Sequence, residues 1–276
     1  MNYGEGNTRF LFNYMKLSLL DILRCPNTNT KLVLEKALYG SQSNHSSIND
    51  PLDGANSFCI DEVESGTLVS EDGQYTYEVL EGVPRFVQNN NYAASFGMQW
   101  NLYPKTQLDS YSGHDISANR FWNSTGWNQS ELKNKFVLDV GCGSGRFAEI
   151  ALNAGAIVVA LDYSNAVDAC NINFLNHPNL HVVQGDIYKL PFRLESFSYI
   201  YSLGVLQHTP DPKKAFSCLP RVLKKEGKIC VDFYEKSLKS IILPKYWLRP
   251  LTKRLPSQKL FIFLKKIIPF LLSLSL

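Results

Sequence analysis

A glycine-rich loop directly after a short apolar run carries the clearest chemical signal in the sequence. The segment VLDVGCGSGRF, residues 137–147, places Gly141, Gly143 and Gly145 at alternate positions. Glycine allows a tight turn and a close approach of the backbone to a ligand. A helix that begins after such a loop directs its positive N-terminal end at the same place. The loop therefore predicts a small-molecule site built largely from backbone.

The charge around this loop indicates a cationic ligand. Asp139 lies two residues before the first glycine, and its carboxylate would repel a pyrophosphate but attract a positive group. The sixth position of the loop is Arg146, where the dinucleotide-binding pattern GxGxxG has glycine. Both features argue against a nicotinamide-dependent oxidoreductase, which stays as an alternative function.

Three further positions lie at the ends of predicted strands. Asp162 ends the second strand, where an acid can accept hydrogen bonds from both hydroxyls of a ribose. Asp186 follows the third strand, where it and the next backbone N–H can read an adenine edge; a simple turn residue is the alternative. Leu203 ends the fourth strand. Because ligands of doubly wound sheets bind at the carboxyl ends of the strands, one nucleoside could contact all three.

The elements that would position these residues alternate between short apolar runs and helical stretches. The predicted strands are residues 136–140, 157–161, 180–184, 197–203 and 228–233. The predicted helices are residues 146–154, 165–175 and 212–223. This alternation with short loops predicts an α/β fold, a doubly wound, Rossmann-like and mostly parallel sheet.

Residues 136–233 resemble the class I methyltransferases that use S-adenosyl-L-methionine, and in particular the branch that methylates diverse small molecules. The matching stretches are VLDVGCGSGRF, VVALDYS, VVQGDIYKLPF, IYSLGVLQHTPDP and LKKEGKICVDFY. This cofactor carries a sulfonium and an ammonium and no phosphate, in agreement with the charge argument. The resemblance implies cofactor binding by Asp139, Gly141, Cys142, Gly143, Gly145, Asp162, Tyr163, Asp186, Ile187 and Leu203.

The implied reaction is methyl transfer to a small-molecule acceptor, such as a sugar, a lipid-linked saccharide or a secondary metabolite. The sulfonium already makes the methyl group electrophilic, so the protein mainly aligns an in-line displacement. A base is needed only for a hydroxyl or an unactivated carbon. His208 is the candidate because imidazole titrates near neutral pH; a helix cap is the alternative role. Without a basic patch near the site, we expect no nucleic acid as partner.

The end of the sheet departs from this class. Methyltransferases of class I usually have two more strands after the fifth, but only 43 residues follow Phe233 here. The sequence predicts a sheet that stops after strand five, or a shortened chain. A catalytically silent binding module is therefore the second alternative function.

Residues 17–88 predict a small α+β unit ahead of the core. Residues 67–87 have the pattern of a hairpin around Asp72-Gly73. The stretches LLDILRCP at 19–26 and EGVPRFV at 81–87 resemble the two ends of a zinc-ribbon-like domain. Thr28 replaces its second cysteine and residues 66–77 contain none, so we predict this fold without a metal.

Two segments flank the predicted core of residues 136–235. Residues 92–135 are rich in aromatic side chains and predict a helical lid segment. Within it, FGMQWNLYPKTQLDS resembles a stretch that covers the cofactor in some members, and Trp100 or Tyr103 is expected to line the pocket. Residues 236–276 predict a basic, apolar helical tail.

The tail carries most of the positive charge. The whole chain sums to +3, and residues 236–276 hold nine Lys or Arg and no acid, so residues 1–235 sum to −6. This pattern predicts contact with an anionic surface such as lipid headgroups; solvated helices that cover the site are the alternative. The apolar stretch at the end of the tail is interrupted by Lys265, Lys266 and Pro269. Its uninterrupted length is therefore shorter than the ~20 residues that a spanning helix needs.

The remaining sequence features concern the compartment. The six cysteines form no CxxC pair, and the N-terminus has no basic stretch that precedes an apolar one. Both features predict a cytoplasmic protein with reduced thiols, bound to a membrane at most peripherally. The sequence gives no information on the oligomeric state.

Overall fold

The computed structural model describes residues 13–39, 62–88, 91–175, 177–233, 252 and 257–273. Within these residues, ten strands form one sheet in the order β1-β3-β4-β5-β8-β7-β6-β9-β10, with β2 paired to β3. The strands belong to one compact unit that ends at Phe233, and residues 234–276 form a second unit.

Five parallel strands form the core of the sheet. They are β6 (Phe136–Val140), β7 (Ile157–Asp162), β8 (Leu180–Gln184), β9 (Phe197–Ser202) and β10 (Leu223–Val231). Three helices connect them, α5 (Arg146–Asn153), α6 (Ala166–Asn173) and α7 (Pro212–Cys218). The order β8-β7-β6-β9-β10 reverses direction at β6, which is the doubly wound pattern. The predicted Rossmann-like α/β fold is confirmed.

Side chains of the central strands pack on both faces of the sheet, as parallel strands require. On β6, Val137 belongs to the core cluster that contains buried residues of α3 (Ile116–Thr125), α4 (Gln129–Leu132), α5 and α6, while Leu138 and Val140 belong to the cluster on the opposite side. That opposite side is covered by α7 and by the N-terminal strands. Both faces being covered, polar ligands can reach the sheet only at its edges and strand ends.

The N-terminal strands extend the core sheet rather than standing apart from it. They are β1 (Met15–Lys16), β2 (Leu32–Tyr39), β3 (Glu62–Ser70), β4 (Thr76–Leu80) and β5 (Val83–Arg85). The predicted hairpin is present as β3 and β4, with its turn at residues 71–75. Arg85 pairs with Gln184 of β8 in parallel register, and the Arg85 guanidinium lies 2.7 Å from the Asp168 carboxylate. The described strands of this N-terminal part thus share one sheet with the core, and the boundaries of residues 17–88 as a domain stay a prediction.

The turn at Cys25 is the place where the zinc-ribbon resemblance predicted an altered site. The Cys25 thiol is buried and lies 3.2 Å from the Tyr77 hydroxyl. Thr28, which replaces the second cysteine, hydrogen-bonds to the Thr30 hydroxyl at 2.8 Å. Among the described residues, no three His, Cys, Asp or Glu side chains converge in a way that could hold a metal ion. The metal-free zinc-ribbon interpretation stays a prediction.

The other helices are short, except for one near the C-terminus. The predicted lid segment contains α1 (Ala94–Leu102), α2 (Asp109–Ser112), α3 and α4. In the second unit, α8 spans Ser257–Ser273. Across the described ranges, we find no helix with the length and apolar character needed to cross a bilayer. Residues 234–251, which decide whether strands follow β10, lie outside the described residues, so the five-strand sheet stays a prediction.

Candidate functional site

The glycine loop turns sharply between β6 and α5. Gly141, Gly143 and Gly145 have φ angles of +82°, +55° and +93°, a region that other residues rarely adopt. A Cβ on Gly141 would lie 2.4 Å from the Val205 side chain, and one on Gly145 would lie 2.4 Å from Phe174. Gly141 and Gly145 are therefore required by both conformation and space, and Gly143 by conformation.

Asp162 joins this loop to the end of β7. One carboxylate oxygen of Asp162 accepts the Gly143 N–H at 2.9 Å, and the other accepts the Ser164 N–H at 2.8 Å and its hydroxyl at 2.7 Å. Burial raises the pKa of this carboxyl, and the hydrogen bonds from Ser164 and Gly143 partly oppose that shift. Asp162, which the sequence predicts to bind a ribose, therefore also holds the glycine loop in place.

Asp139 is a buried acid beneath the loop. It is only 2% exposed and pairs in register with Ala160 on β7 and Tyr201 on β9. Burial raises its pKa to about 8; the Tyr201 hydroxyl lowers the pKa, and the charge of Asp162 raises it further. Its Oδ2 atom is buried without a hydrogen-bond partner. A buried acid with a free oxygen is costly unless a polar or cationic group binds there.

Asp186 and two tyrosines lie further along the same edge of the sheet. The Asp186 carboxylate accepts the Tyr188 N–H at 2.9 Å, which is the turn role that the sequence left open. The Tyr163 ring stacks on Tyr92 with a centroid distance of 4.9 Å. Burial, followed by the charge of Asp186, raises the pKa of Tyr92 to about 12, so the two groups are neighbours. Ile187, after Asp186, is buried.

The loop after β9 closes the other side of the crevice. Leu203 is buried, and the Gly204 N–H donates to the Asp232 carboxylate at the end of β10. Val205 then packs directly over Gly141. His208 ends a 3₁₀ turn and is exposed, with its ring 5.4 Å from the Phe96 ring. The structure thus places His208 at the surface beside the lid segment.

The lid helix α1 covers the glycine loop. The Trp100 indole nitrogen lies 3.1 Å from the position of a Cβ on Gly143. Gly97 approaches Asn165 so closely that a Cβ would lie 1.7 Å from its amide oxygen. Asn101 donates to the Asn165 carbonyl at 2.8 Å. Of the two residues predicted to line the pocket, Trp100 is at the loop, whereas Tyr103 is 47% exposed at the end of α1.

The position of Trp100 predicts a spectroscopic signal for cofactor binding. Any ligand that enters between α1 and the loop must change the surroundings of this indole. We expect titration with S-adenosylhomocysteine to change the tryptophan emission, and Trp100→Phe to remove most of that change. Trp122→Phe is the control, since Trp122 packs beside Phe121 in α3. An unchanged signal in Trp100→Phe would contradict this placement.

Cys142 is a predicted cofactor residue whose side chain is buried. Its thiol is buried and contacts the Gly143 carbonyl at 3.6 Å. The neighbouring Cys170 thiol and burial raise the Cys142 pKa. The thiol is thus kept neutral, and a contact with the cofactor would have to come from the backbone of Cys142.

Two groups at the site were not predicted from the sequence. Tyr92 belongs to the aromatic-rich range 92–135, and Asp232 lies in the fifth predicted strand, but no sequence pattern assigns either residue to the site. Asp232 binds the Gly204 amide and also forms an ion pair with Arg120 at 2.7 Å. Packing between distant segments brings both residues to the crevice. For Asp232 the sequence does hold a signal, because an acid near the end of the fifth predicted strand is expected at the same edge of the sheet as Asp139 and Asp162.

Comparison with known proteins places a domain over this region. Residues 138–231 match the model of the methyltransferase domain family. The ubiquinone biosynthesis O-methyltransferase of Coxiella burnetii is 30% identical over 116 residues, which are 41% of this chain and 50% of that protein. The demethylmenaquinone methyltransferase of Renibacterium salmoninarum is 36% identical over 95 residues, 34% of this chain and 39% of that protein. The chain spans about half the length, or less, of these curated relatives.

A solved structure with a similar arrangement comes from Methanococcus maripaludis. It is described as a putative S-adenosyl-L-methionine-dependent methyltransferase, and it aligns with 67% of this chain and 87% of its own. The TM-score is 0.43 and the sequence identity is 20%.

The domain implies S-adenosyl-L-methionine as its cofactor, and the residues of the crevice fit this group. Asp139 offers a buried carboxylate oxygen without a partner, which suits a cation. Asp162 lies at the end of β7, where a ribose would bind. The Gly141 and Gly145 positions leave no room for a side chain, so this part of the loop is formed by backbone alone.

Proposed function

We propose that the protein transfers a methyl group from S-adenosyl-L-methionine to a small-molecule acceptor. The observation that carries this proposal is a pair of acids, the buried Asp139 and the partly exposed Asp162, on either side of a glycine loop that lacks space for a side chain at Gly141 and Gly145. Such an edge disfavours the pyrophosphate of a nicotinamide dinucleotide, because the Asp139 carboxyl beneath the loop offers the phosphates no positive charge and would repel them in its ionised form.

The residues of the chain would share the work of binding and alignment. Asp139 would face the positive part of the cofactor, Asp162 its ribose and Asp186 with Ile187 its adenine. Tyr92, stacked on Tyr163, would close the adenine side. When bound, the cofactor supplies an electrophilic methyl group, so the protein has to exclude water and hold the acceptor in line.

The acceptor would enter on the side of His208 and Phe96. An exposed imidazole beside an aromatic ring can take a proton from a hydroxyl while the ring excludes water. One relative carries the name ubiquinone biosynthesis O-methyltransferase, which supports a hydroxyl of a quinone-related compound as one acceptor class. Sugars, lipid-linked saccharides and secondary metabolites are the other classes to be tested.

A binding experiment followed by product analysis tests this function. The full chain is titrated by calorimetry with S-adenosylhomocysteine and, separately, with NADH. It is then incubated with S-adenosyl-L-methionine and each acceptor class, and products are searched by mass for one added methyl group. Binding of NADH alone would favour the oxidoreductase alternative. Binding of neither ligand would favour the silent module.

The raised pKa of Asp139 predicts that cofactor binding releases a proton. With a pKa of about 8, the free protein holds this carboxyl protonated at pH 7. A cationic ligand favours the ionised form, so binding below pH 8 must release up to about one proton, and affinity should rise with pH until about 8. Calorimetry in buffers with different ionisation enthalpies measures this release. Asp139→Asn should lack it, and subtracting the two curves removes the titration of the ligand itself.

The same carboxyl should change the pH dependence of stability. Its folded-state pKa of about 8 is above the ordinary aspartate value of 3.8, so the native protein binds a proton that the unfolded chain has lost between those pH values. The contribution of Asp139 to stability is therefore complete below about pH 4 and is lost as pH rises to 8. We expect Asp139→Asn to gain unfolding free energy relative to wild type over that range. Parallel curves for the two proteins would show that Asp139 is ionised in the free protein.

A further inference from the structure

The C-terminal helix α8 presents apolar side chains to solvent. Four large apolar residues of Ser257–Ser273 are well exposed: Ile262 at 56%, Phe263 at 56%, Leu264 at 41% and Ile268 at 47%. Exposed apolar residues in such a row are unusual on a soluble surface and mark an interaction site. The helix also carries three exposed lysines, Lys259, Lys265 and Lys266, and no acid.

The lysines and most of the apolar residues lie on different sides of the helix. At 100° per residue, Lys259, Lys265 and Lys266 fall within an arc of about 120°. Phe263, Leu264 and Ile268 fall outside that arc, and Ile268 lies roughly opposite Lys266. Ile262 is the exception, because it lies between the lysines. An apolar face bordered by lysines is the arrangement of helices that lie in the interface of a membrane.

The charge of the surrounding sequence identifies the kind of surface. Residues 236–276 contain nine Lys or Arg and neither Asp nor Glu, whereas residues 1–235 sum to −6. An acidic protein partner would also attract this segment, but it would not account for an apolar face on which the first residue of the helix, Ser257, is the only polar one. Phospholipid headgroups next to acyl chains offer negative charge and an apolar layer together.

We propose that α8 binds the protein to the surface of an anionic phospholipid bilayer, with Phe263, Leu264 and Ile268 inserted at the level of the acyl chains. The lysines then contact the headgroups. Lys265 and Lys266 lie in the middle of α8, so a helix that keeps both lysines at the headgroups lies along the surface. This inference goes beyond the proposed function and does not depend on it, because binding to lipid requires neither cofactor nor acceptor.

Co-sedimentation of the full chain with vesicles tests the proposal. We expect binding to vesicles of phosphatidylglycerol and phosphatidylcholine, and much weaker binding to phosphatidylcholine alone. Raising the salt concentration should weaken binding because it screens the lysines. Lys265→Gln with Lys266→Gln should reduce the partition coefficient about 25-fold, since each lysine near an anionic surface contributes about fivefold. Lys213→Gln with Lys225→Gln removes the same charge from exposed sites of the core and is the control.

Two isoleucines of α8 provide a matched pair for the apolar contribution. Ile268→Ser should weaken binding about tenfold or more, because it removes an inserted side chain. Ile262→Ser, on the lysine side, should have a much smaller effect. Equal effects of the two variants, or binding that is the same with and without phosphatidylglycerol, would overturn the proposal. Self-association that needs the same residues in sedimentation velocity, without lipid binding, would identify a second copy of the chain as the partner instead.

Discussion

Replacement of Asp162 by alanine is expected to lower the affinity for S-adenosylhomocysteine on the order of 100-fold. A carboxylate has about four lone-pair positions, and in this structure three of them accept bonds from Gly143 and Ser164. One position on Oδ2 is left for a ribose hydroxyl, and a charge-assisted hydrogen bond contributes about 1.5–3 kcal/mol. The variant also loses the bond that holds the Gly143 amide, so the loop would no longer be fixed before the ligand arrives.

Two further variants separate the two roles of Asp162. Ser164→Ala removes one bond to the carboxylate but keeps its charge, so it should lower stability slightly and leave affinity within a few-fold of wild type. Asp115→Ala replaces an exposed acid at the start of α3 and controls for net charge. Calorimetry and thermal unfolding measure the two effects. Wild-type affinity in Asp162→Ala would mean that this acid serves only the loop and that the cofactor binds elsewhere.

The parts of the site that could be predicted from the sequence are those encoded locally. The three glycines must adopt positive φ angles wherever the chain turns from β6 into α5, so their spacing alone indicated the loop. Asp139 and Asp162 lie on adjacent strands, one within β6 and the other at the end of β7, and strand ends were readable from the apolar runs. Their proximity followed from the parallel order of the sheet.

The parts that could not be predicted depend on contacts between distant segments. β5 is only three residues long and contains Pro84, which cannot donate a ladder hydrogen bond, so no strand pattern was visible there. Its place beside β8 depends on Arg85, which hydrogen-bonds to Gln184 and pairs with Asp168. β10 begins at Leu223, five residues before the predicted start. The charged residues that follow Leu223 lack the apolar pattern of a buried strand, and the pairing with β9 is irregular between Leu223 and Lys228.

In the predicted lid segment, residues 92–135, some features could likewise be predicted from the local sequence and others depend on contacts between distant segments. The aromatic content of residues 92–135 indicated packing, and the resemblance indicated a covering segment. Which aromatic residue meets the loop depends on how α1 packs on α6, where Gly97 must pass Asn165 without a side chain. Tyr92 reaches Tyr163 through that same docking. We therefore regard the covering of the crevice by α1 as a property of tertiary packing.

Replacement of Gly141 by alanine is expected to abolish measurable cofactor binding and to destabilise the protein. At φ +82° any other residue is strained by about 1–2 kcal/mol, and the new Cβ would lie 2.4 Å from the Val205 side chain. One of the two must move, which displaces either the loop or the segment that leads to His208. Affinity for S-adenosylhomocysteine and the free energy of unfolding are the two measurements.

Two causes of the expected loss of binding and stability, the collision with Val205 and the strain of the positive φ angle, can be separated by further variants. Gly113 has a similar φ of +71° but no atom within 4 Å of a Cβ, so Gly113→Ala should show the strain alone and keep wild-type affinity. Val205→Ala combined with Gly141→Ala removes the collision and should restore part of both binding and stability, although the strain stays. If Gly141→Ala and Gly113→Ala were equally mild, the packing of Val205 over the loop would not be what shapes the crevice. A rescue by Val205→Ala would instead show that the loop after β9 and the glycine loop are positioned by each other.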